Sequence, residues 1–200
     1  MFYISYLFSI LPAPYKIGIN IWAFEFMKII ASAPLNIIMN LLASSFFVVL
    51  PLIALYLYFI KKDKNVYTFA VAVVLFYIIS DLIKNLVREP RPCHFNITGL
   101  NWINNLSCEN SFSFPSNHAS VLTGLGFFLK NYKYVEILYI AWLILVLFGR
   151  VYLGVHYLTD VIAGIFLSIF LYYLLNHFRT KINSVLNNIV KKIFPKLALK

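Results

Sequence analysis

Long apolar runs alternate with short polar breaks along this chain. Leu35 to Ile60 carries no charge and stops at Lys61-Lys62-Asp63-Lys64. Val66 to Val87 is a second run, interrupted only by Asp81 and Lys84 near its far end. A polar stretch from Arg88 to Ser116 follows, then the short apolar segment Ala119–Leu129, then Val135–Gly149 and His156–Leu175. A helix crossing a bilayer needs ~20 apolar residues, and a helix is one of the few backbones that satisfies its own polar groups in hydrocarbon. The pattern predicts an all-α fold, a polytopic transmembrane bundle of five or six helices. A helix from His118 to about Asn131 would hold 14 residues. At 1.5 Å per residue that is ~21 Å, short of a ~30 Å hydrocarbon core, so His118 is expected to lie recessed below one surface.

The two ends are less regular. In residues 1–34, Pro12, Pro14 and Pro34 break the chain, and Lys16, Glu25 and Lys28 interrupt the apolar pattern. This segment is read either as interfacial or as an imperfect extra span. The first eleven residues are apolar, with no preceding positive charge and no convincing cleavage site, so no signal peptide is expected. In residues 179–200, Ile182, Val185, Leu186, Ile189, Val190, Ile193, Phe194 and Leu197 recur on one face of a helix, with the lysines off it. An amphipathic helix on the inner leaflet is expected; the alternative is a helix packed on the end of the bundle. Residues 1–200 then form a single membrane-embedded domain, with 88–116 as its extracytoplasmic loop.

Composition sharpens this picture. The chain is 62% hydrophobic and 12% charged, against about 25% charged in soluble domains. Its net charge of +10 gathers at the ends of apolar runs and in the tail. That suits an anionic lipid surface; no soluble segment is long enough to build a nucleic-acid groove. If the Lys61–Lys64 hairpin is cytoplasmic, eleven lysines and arginines fall inside and four outside: Lys84, Arg88, Arg91 and Arg150. The positive-inside rule favours that orientation, with a cytoplasmic C-terminus. The outer loop then holds the chain's Asn-X-Ser/Thr triplets, at Asn96 and Asn105, as glycosylation candidates. It also holds both cysteines, Cys93 and Cys108, for which a disulfide is expected in an oxidising compartment. Unpaired thiols are the alternative.

The four outside cations have unusual company. Lys84 and Arg91 flank the end of the second span, Pro115-Ser116-Asn117-His118 opens the next helix, Arg150 closes another, and His156 and Asp160 open the last. Taken singly, each reads as a snorkelling cation or a helix-end polar residue. Together they put three cations, two histidines and an acid at one membrane face, where ionisable groups default to function. Three cations match a dianionic phosphate, and a helix start favours an anion. His156 and Asp160 are one turn apart, so the aspartate can fix the tautomer and leave the other ring nitrogen to attack. His118 is available as general acid and base. The acidic cluster that holds magnesium is lacking, and the cysteines are not spaced as a zinc site. No metal and no cofactor are expected.

Lys84-x6-Arg91-Pro92, Pro115-Ser116-Asn117-His118 and Arg150-x5-His156-x3-Asp160 together resemble the three-part motif of the type 2 phosphatidic acid phosphatase superfamily. The resemblance implies roles. Lys84, Arg91 and Arg150 would bind phosphate with Ser116 and the Asn117 backbone N–H. His156 would be the nucleophile, oriented by Asp160, and His118 would protonate the leaving oxygen. Two positions depart from the family pattern: Asn117 replaces the usual glycine and Gly149 the usual serine. Asparagine tolerates a left-handed backbone, so the turn is expected to survive. Within the superfamily, Glu89-Pro90-Arg91-Pro92 and Phe114-Pro115-Ser116-Asn117-His118 look most like the bacitracin-resistance type of undecaprenyl-diphosphate phosphatase, whose chemistry dolichyl-diphosphate phosphatases share. A long-chain prenyl diphosphate is the implied substrate, with the bilayer as the other partner, and the implied role is carrier-lipid recycling. Arg88 is a candidate contact for the second phosphate. The alternatives are phosphatidate or phosphatidylglycerophosphate as substrate or, in another class, a membrane anion transporter.

Overall fold

The computed structural model describes residues 17–94 and 108–199, and every regular element in them is helical. The helices are α1 (Gly18–Ile30), α2 (Ala33–Ser44), α3 (Phe46–Leu55, extended by a wider turn Tyr56–Ile60), α4 (Asn65–Val87), α5 (Asn117–Gly126), α6 (Lys133–Tyr152), α7 (Leu158–His177) and α8 (Arg179–Ile193). Three of them, α4, α6 and α7, are long and apolar enough to cross a bilayer, and the bent pair α2–α3 makes a fourth. By length and composition alone these four pass among the described residues; α5 is short, and α1, with 13 residues, reaches only ~20 Å. The run Leu35–Ile60, expected as one helix, bends by 41° at the Ser44–Ser45 break. Ser45 Oγ there donates to Leu42 O at 2.7 Å, and Trp142 Nε1 donates to Ser45 Oγ at 2.8 Å. Serine side chains that bond the preceding turn commonly accompany such bends.

The bundle is built around α5. Its apolar residues Ala119, Leu122 and Leu125 are buried, and so are Phe76 on α4 and Val146 on α6. Small residues let the helices close in. A Cβ on Gly164 of α7 would lie 2.7 Å from Ala119 Cβ and 2.9 Å from Ser116 O. A Cβ on Gly124 of α5 would lie 2.6 Å from Phe76 and 2.8 Å from Ser168 O. Close backbone approach through small residues is how helices associate where lipid removes the hydrophobic drive. The outer surface is correspondingly apolar, with Trp22, Ile29, Leu41, Phe47, Leu82, Leu138 and Phe166 exposed.

The two ends of the bundle carry different chemistry. At one end Tyr132 Oη donates to Asp63 Oδ2 at 2.7 Å, joining the Lys130–Lys133 turn to the Lys61–Lys64 hairpin. At the same end the Asn183 carboxamide of α8 accepts Thr68 N and Oγ1 of α4 at 3.1 and 2.6 Å. The tail stripe is shared: Ile182, Leu186 and Val190 pack on the core, while Val185, Ile189, Ile193, Phe194 and Leu197 stay exposed. The second end is shaped by two backbone features. Arg88 adopts a left-handed conformation (φ 56°) that closes α4 before Pro90. Gly154 (φ 63°) turns the chain between α6 and α7 so tightly that His156 N donates to Arg150 O at 3.2 Å. A positive φ at this position suits glycine.

Candidate active site

Lys84, Arg91, Ser116, Arg150, His156 and Asp160 are all buried at this second end. The short turn from Arg150 to His156 places the last three on one side. Asp160, in the first turn of α7, accepts Tyr157 N at 2.9 Å and so caps the start of the helix. The same oxygen, Oδ2, faces His156 Nδ1 at 3.3 Å and accepts Ser113 Oγ at 2.5 Å. Ser113 Oγ also lies 3.4 Å from His156 Nδ1. A carboxylate opposite Nδ1 assigns the ring proton there and leaves Nε2 with its lone pair. Nε2 points at Arg91 Nη1, 3.3 Å away. Burial, reinforced by the charges of Arg150, Arg91 and Lys84, holds His156 well below the ordinary imidazole range, so the ring is neutral.

Across from this nitrogen lies a cationic pocket. Arg91 is held by Val155 O (3.0 Å, from Nη1) and Ser111 O (2.9 Å, from Nε). Its Nη2 donates to Glu109 Oε2 and to Ser111 Oγ, both at 2.7 Å. Arg150 Nη2 donates to the other oxygen, Glu109 Oε1, at 3.0 Å. Two guanidinium groups from separate segments therefore grip one carboxylate. Burial alone would raise the Glu109 carboxyl, but Arg91 and Arg150 outweigh it and hold the group below the usual carboxylate range. Two buried donors at this end of the bundle, Arg150 Nε and Ser116 Oγ, have no hydrogen-bond partner among the described residues. Buried polar groups normally have one.

Lys84 is placed differently. Its ammonium donates to Phe112 O, Ser113 O and Pro115 O at 2.8, 3.1 and 2.9 Å. All three of its protons are committed to the loop that carries the second motif. Asn117 is the first residue of α5, its backbone is not left-handed, and its side chain accepts Ser80 Oγ at 2.7 Å. The left-handed turn that asparagine was expected to preserve is not formed. Gly149 faces Met39, whose Sδ would lie 3.3 Å from an added Cβ. His118 Nε2 lies 3.1 Å from Ala43 O at the bend between α2 and α3, and Phe46 packs edge-on to its ring. A carbonyl at Nε2 assigns the proton there and leaves Nδ1 as the basic nitrogen. Arg88 is exposed at the end of α4, its Nε on Asn85 O at 3.1 Å.

Cys93 and Cys108 form a disulfide with Cα atoms 6.0 Å apart. His94 lies within 4.8 Å of both sulfurs, but thiols spent in a disulfide offer no thiolate to a metal. The glycosylation candidates Asn96 and Asn105 lie outside the described residues. Three participants escape the sequence reading: Ser111, Ser113 and Glu109. Nothing in the local pattern marks the serines. Glu109 does carry a signal, because a Cys93–Cys108 bond draws the residue after Cys108 toward Arg91.

Similarity to known proteins falls on the same residues. A family model described as the PAP2 superfamily matches residues 65–184. An undecaprenyl-diphosphatase of Sulfolobus acidocaldarius is 30% identical over 153 residues, 74% of this chain and 73% of that protein. Phosphatidylglycerophosphatase B of Bacillus subtilis is 42% identical over 86 residues, 37% of this chain and 42% of that protein. Among solved structures, the transmembrane PAP2-type phosphatidylglycerolphosphate phosphatase of Bacillus subtilis superposes with a TM-score of 0.62 at 26% identity, covering 89% of this chain and 94% of its own. LpxE of Aquifex aeolicus superposes at 0.65 with 20% identity, covering 81% and 97%, which speaks to the fold alone.

Proposed function

We propose that this chain, which belongs to the PAP2 superfamily, removes the terminal phosphate from a long-chain prenyl diphosphate through a covalent intermediate on His156. The chain is an integral membrane lipid phosphatase; the substrate and the chemical path are the proposal. One observation carries it. Arg91 and Arg150 converge on an anion beside a neutral imidazole whose Nδ1 is held by Asp160. A phosphoryl group gripped by those guanidinium groups would present its phosphorus to His156 Nε2. Arg91 Nη1, 3.3 Å from that nitrogen, is placed to stabilise charge on the equatorial oxygens in the transition state.

In this scheme Nε2 forms a bond to the terminal phosphorus as the bond to the bridging oxygen breaks. The diphosphate enters carrying a proton, passes it to the basic Nδ1 of His118, and His118 gives it to the leaving lipid phosphate. His118 then removes a proton from water, the hydroxide attacks the phosphohistidine, and orthophosphate leaves with that proton and with His156 neutral again. Asp160 stabilises the charge that develops on the imidazole. No step calls on a metal, so chelation by EDTA should leave activity unchanged.

The prenyl reading rests on the undecaprenyl-diphosphatase relative, which aligns over most of both chains. The cationic end would face the extracytoplasmic or lumenal side with the C-terminus in the cytoplasm. The asymmetry of lysine and arginine and the Cys93–Cys108 disulfide beside the site support that orientation. A second reading, phosphatidylglycerophosphate as substrate, is favoured by the shorter but more identical match to the Bacillus enzyme. Phosphate release from undecaprenyl, dolichyl and farnesyl diphosphates, phosphatidate and phosphatidylglycerophosphate in one detergent separates the two. Higher kcat/KM on the prenyl diphosphates is expected; preference for the glycerolipids would overturn the prenyl reading. No phosphate release from any of them would favour an anion transporter instead.

A further inference from the structure

The carboxylate of Glu109 sits where an anionic substrate group is needed, and its exposure differs sharply from that of its partners. Its side chain is 52% exposed, against 2% for Arg91 and 6% for Arg150. The arginines are buried, whereas half of the acid's side chain already faces solvent. It is also tethered, since Cys108 beside it is bonded to Cys93, two residues beyond Arg91. A short tether holds a ligand at an effective concentration on the order of millimolar. We infer that Glu109 is a specificity-determining residue: its carboxylate occupies the anion site at rest and admits only groups that bind the two arginines better than it does.

The geometry says which groups those are. Glu109 presents two oxygens and satisfies one Nη2 of each arginine, leaving Arg150 Nε and Ser116 Oγ without acceptors. A phosphodiester headgroup also brings one charge and two free oxygens, so it gains little by replacing the carboxylate. A terminal phosphate brings about −1.5 to −2 charges and three acceptor oxygens. The third oxygen can meet donors that the carboxylate leaves unmet. Glu109 would thus keep bulk phospholipid off the arginines while yielding to terminal phosphates and diphosphates. This inference deepens the reading of the site as a prenyl-diphosphate phosphatase and rests on it.

The test compares the full chain with Glu109→Gln and Glu109→Asp in detergent micelles, using farnesyl diphosphate as substrate. Orthovanadate and phosphatidylglycerol, a monoanionic phosphodiester, serve as inhibitors. In Glu109→Gln the KM and the vanadate inhibition constant should each fall about tenfold, the order of one tethered charge-assisted contact. Phosphatidylglycerol, inert toward the unchanged protein, should become a competitive inhibitor. Glu109→Asp, which keeps the charge, should retain resistance to phosphatidylglycerol and covers the case in which the glutamine variant fails to fold. An unchanged or raised KM, with phosphatidylglycerol still inert, would overturn the inference and make Glu109 a strut for the arginines. Absence of phosphate release by the unchanged protein would instead overturn the phosphatase reading, while direct calorimetric titration with vanadate would still report occupancy of the arginines.

Discussion

On the side of the proposed nucleophile, the polar atoms next to His156 Nδ1 are buried and hydrogen-bonded to one another: Asp160 Oδ2 takes Ser113 Oγ and Tyr157 N and faces the ring. On the anion side, Arg91 and Arg150 are equally buried, yet the group that balances them is half in solvent. The nucleophile must not move between turnovers, whereas the phosphate must come and go. Rigidity therefore sits where geometry controls the attack, and exchangeability sits where a ligand must displace something. Lys84 marks the boundary: it is a cation of the anion side by charge, but a strut of the second-motif loop by its three hydrogen bonds.

Breaking the rigid side should do the most damage. Removing the proposed nucleophile in His156→Ala should lower kcat on a prenyl diphosphate by on the order of 10⁴-fold or more, with vanadate binding largely kept because the arginines remain. Lys84→Met should follow. It leaves three carbonyls in a buried loop without their donor, so we expect a loss of about 3 kcal/mol, read as a fall in the thermal midpoint in detergent along with weakened vanadate binding. Ser113→Ala removes one neutral donor from Asp160, about 1 kcal/mol. It should lower kcat several-fold with KM unchanged; a change in KM alone would move Ser113 to the anion side.

The smallest effect on turnover is expected at Glu89. Glu89, in the loop after α4, is pushed up to about 8 by burial and by Asp160, against the pull of Lys84. A carboxyl raised in this way holds a proton in the folded state that the unfolded chain has already released. Stability is therefore lost as pH rises from about 4.5 toward 8, and the loss is complete above that. Glu89→Gln should raise the thermal midpoint more above pH 8 than at the acidic end of this window. A pH-independent shift would contradict the buried, protonated state.

Much of the site was legible because its parts obey local spacing. His156 and Asp160 meet because four residues make one helical turn, and the cysteines share one loop. The all-helical class followed from the length and charge of the apolar runs. Other features lay beyond pattern reading. Length alone cannot see the bend at Ser45, which turns Ala43 O toward His118. Nor can it tell that the short α5 is enclosed by helices whose approach depends on Gly124 of α5 and Gly164 of α7. Charge alone cannot tell a cation whose donors all go to backbone, as in Lys84, from one that also holds a side-chain carboxylate, as in Arg91. What asparagine tolerates does not decide the backbone at Asn117, because Ser80 holds it as an ordinary helix start.

The proposed chemistry forms a bond between phosphorus and His156 Nε2. Rapid quenching of the full chain during turnover of a prenyl diphosphate carrying ³²P in its terminal phosphate, followed by peptide mapping, looks for that bond directly. We predict an acid-labile, alkali-stable label on the peptide containing His156, absent from His156→Ala and lengthened in lifetime in His118→Ala. A label on any other residue, or steady-state turnover by His156→Ala at the rate of the unchanged protein, would contradict it.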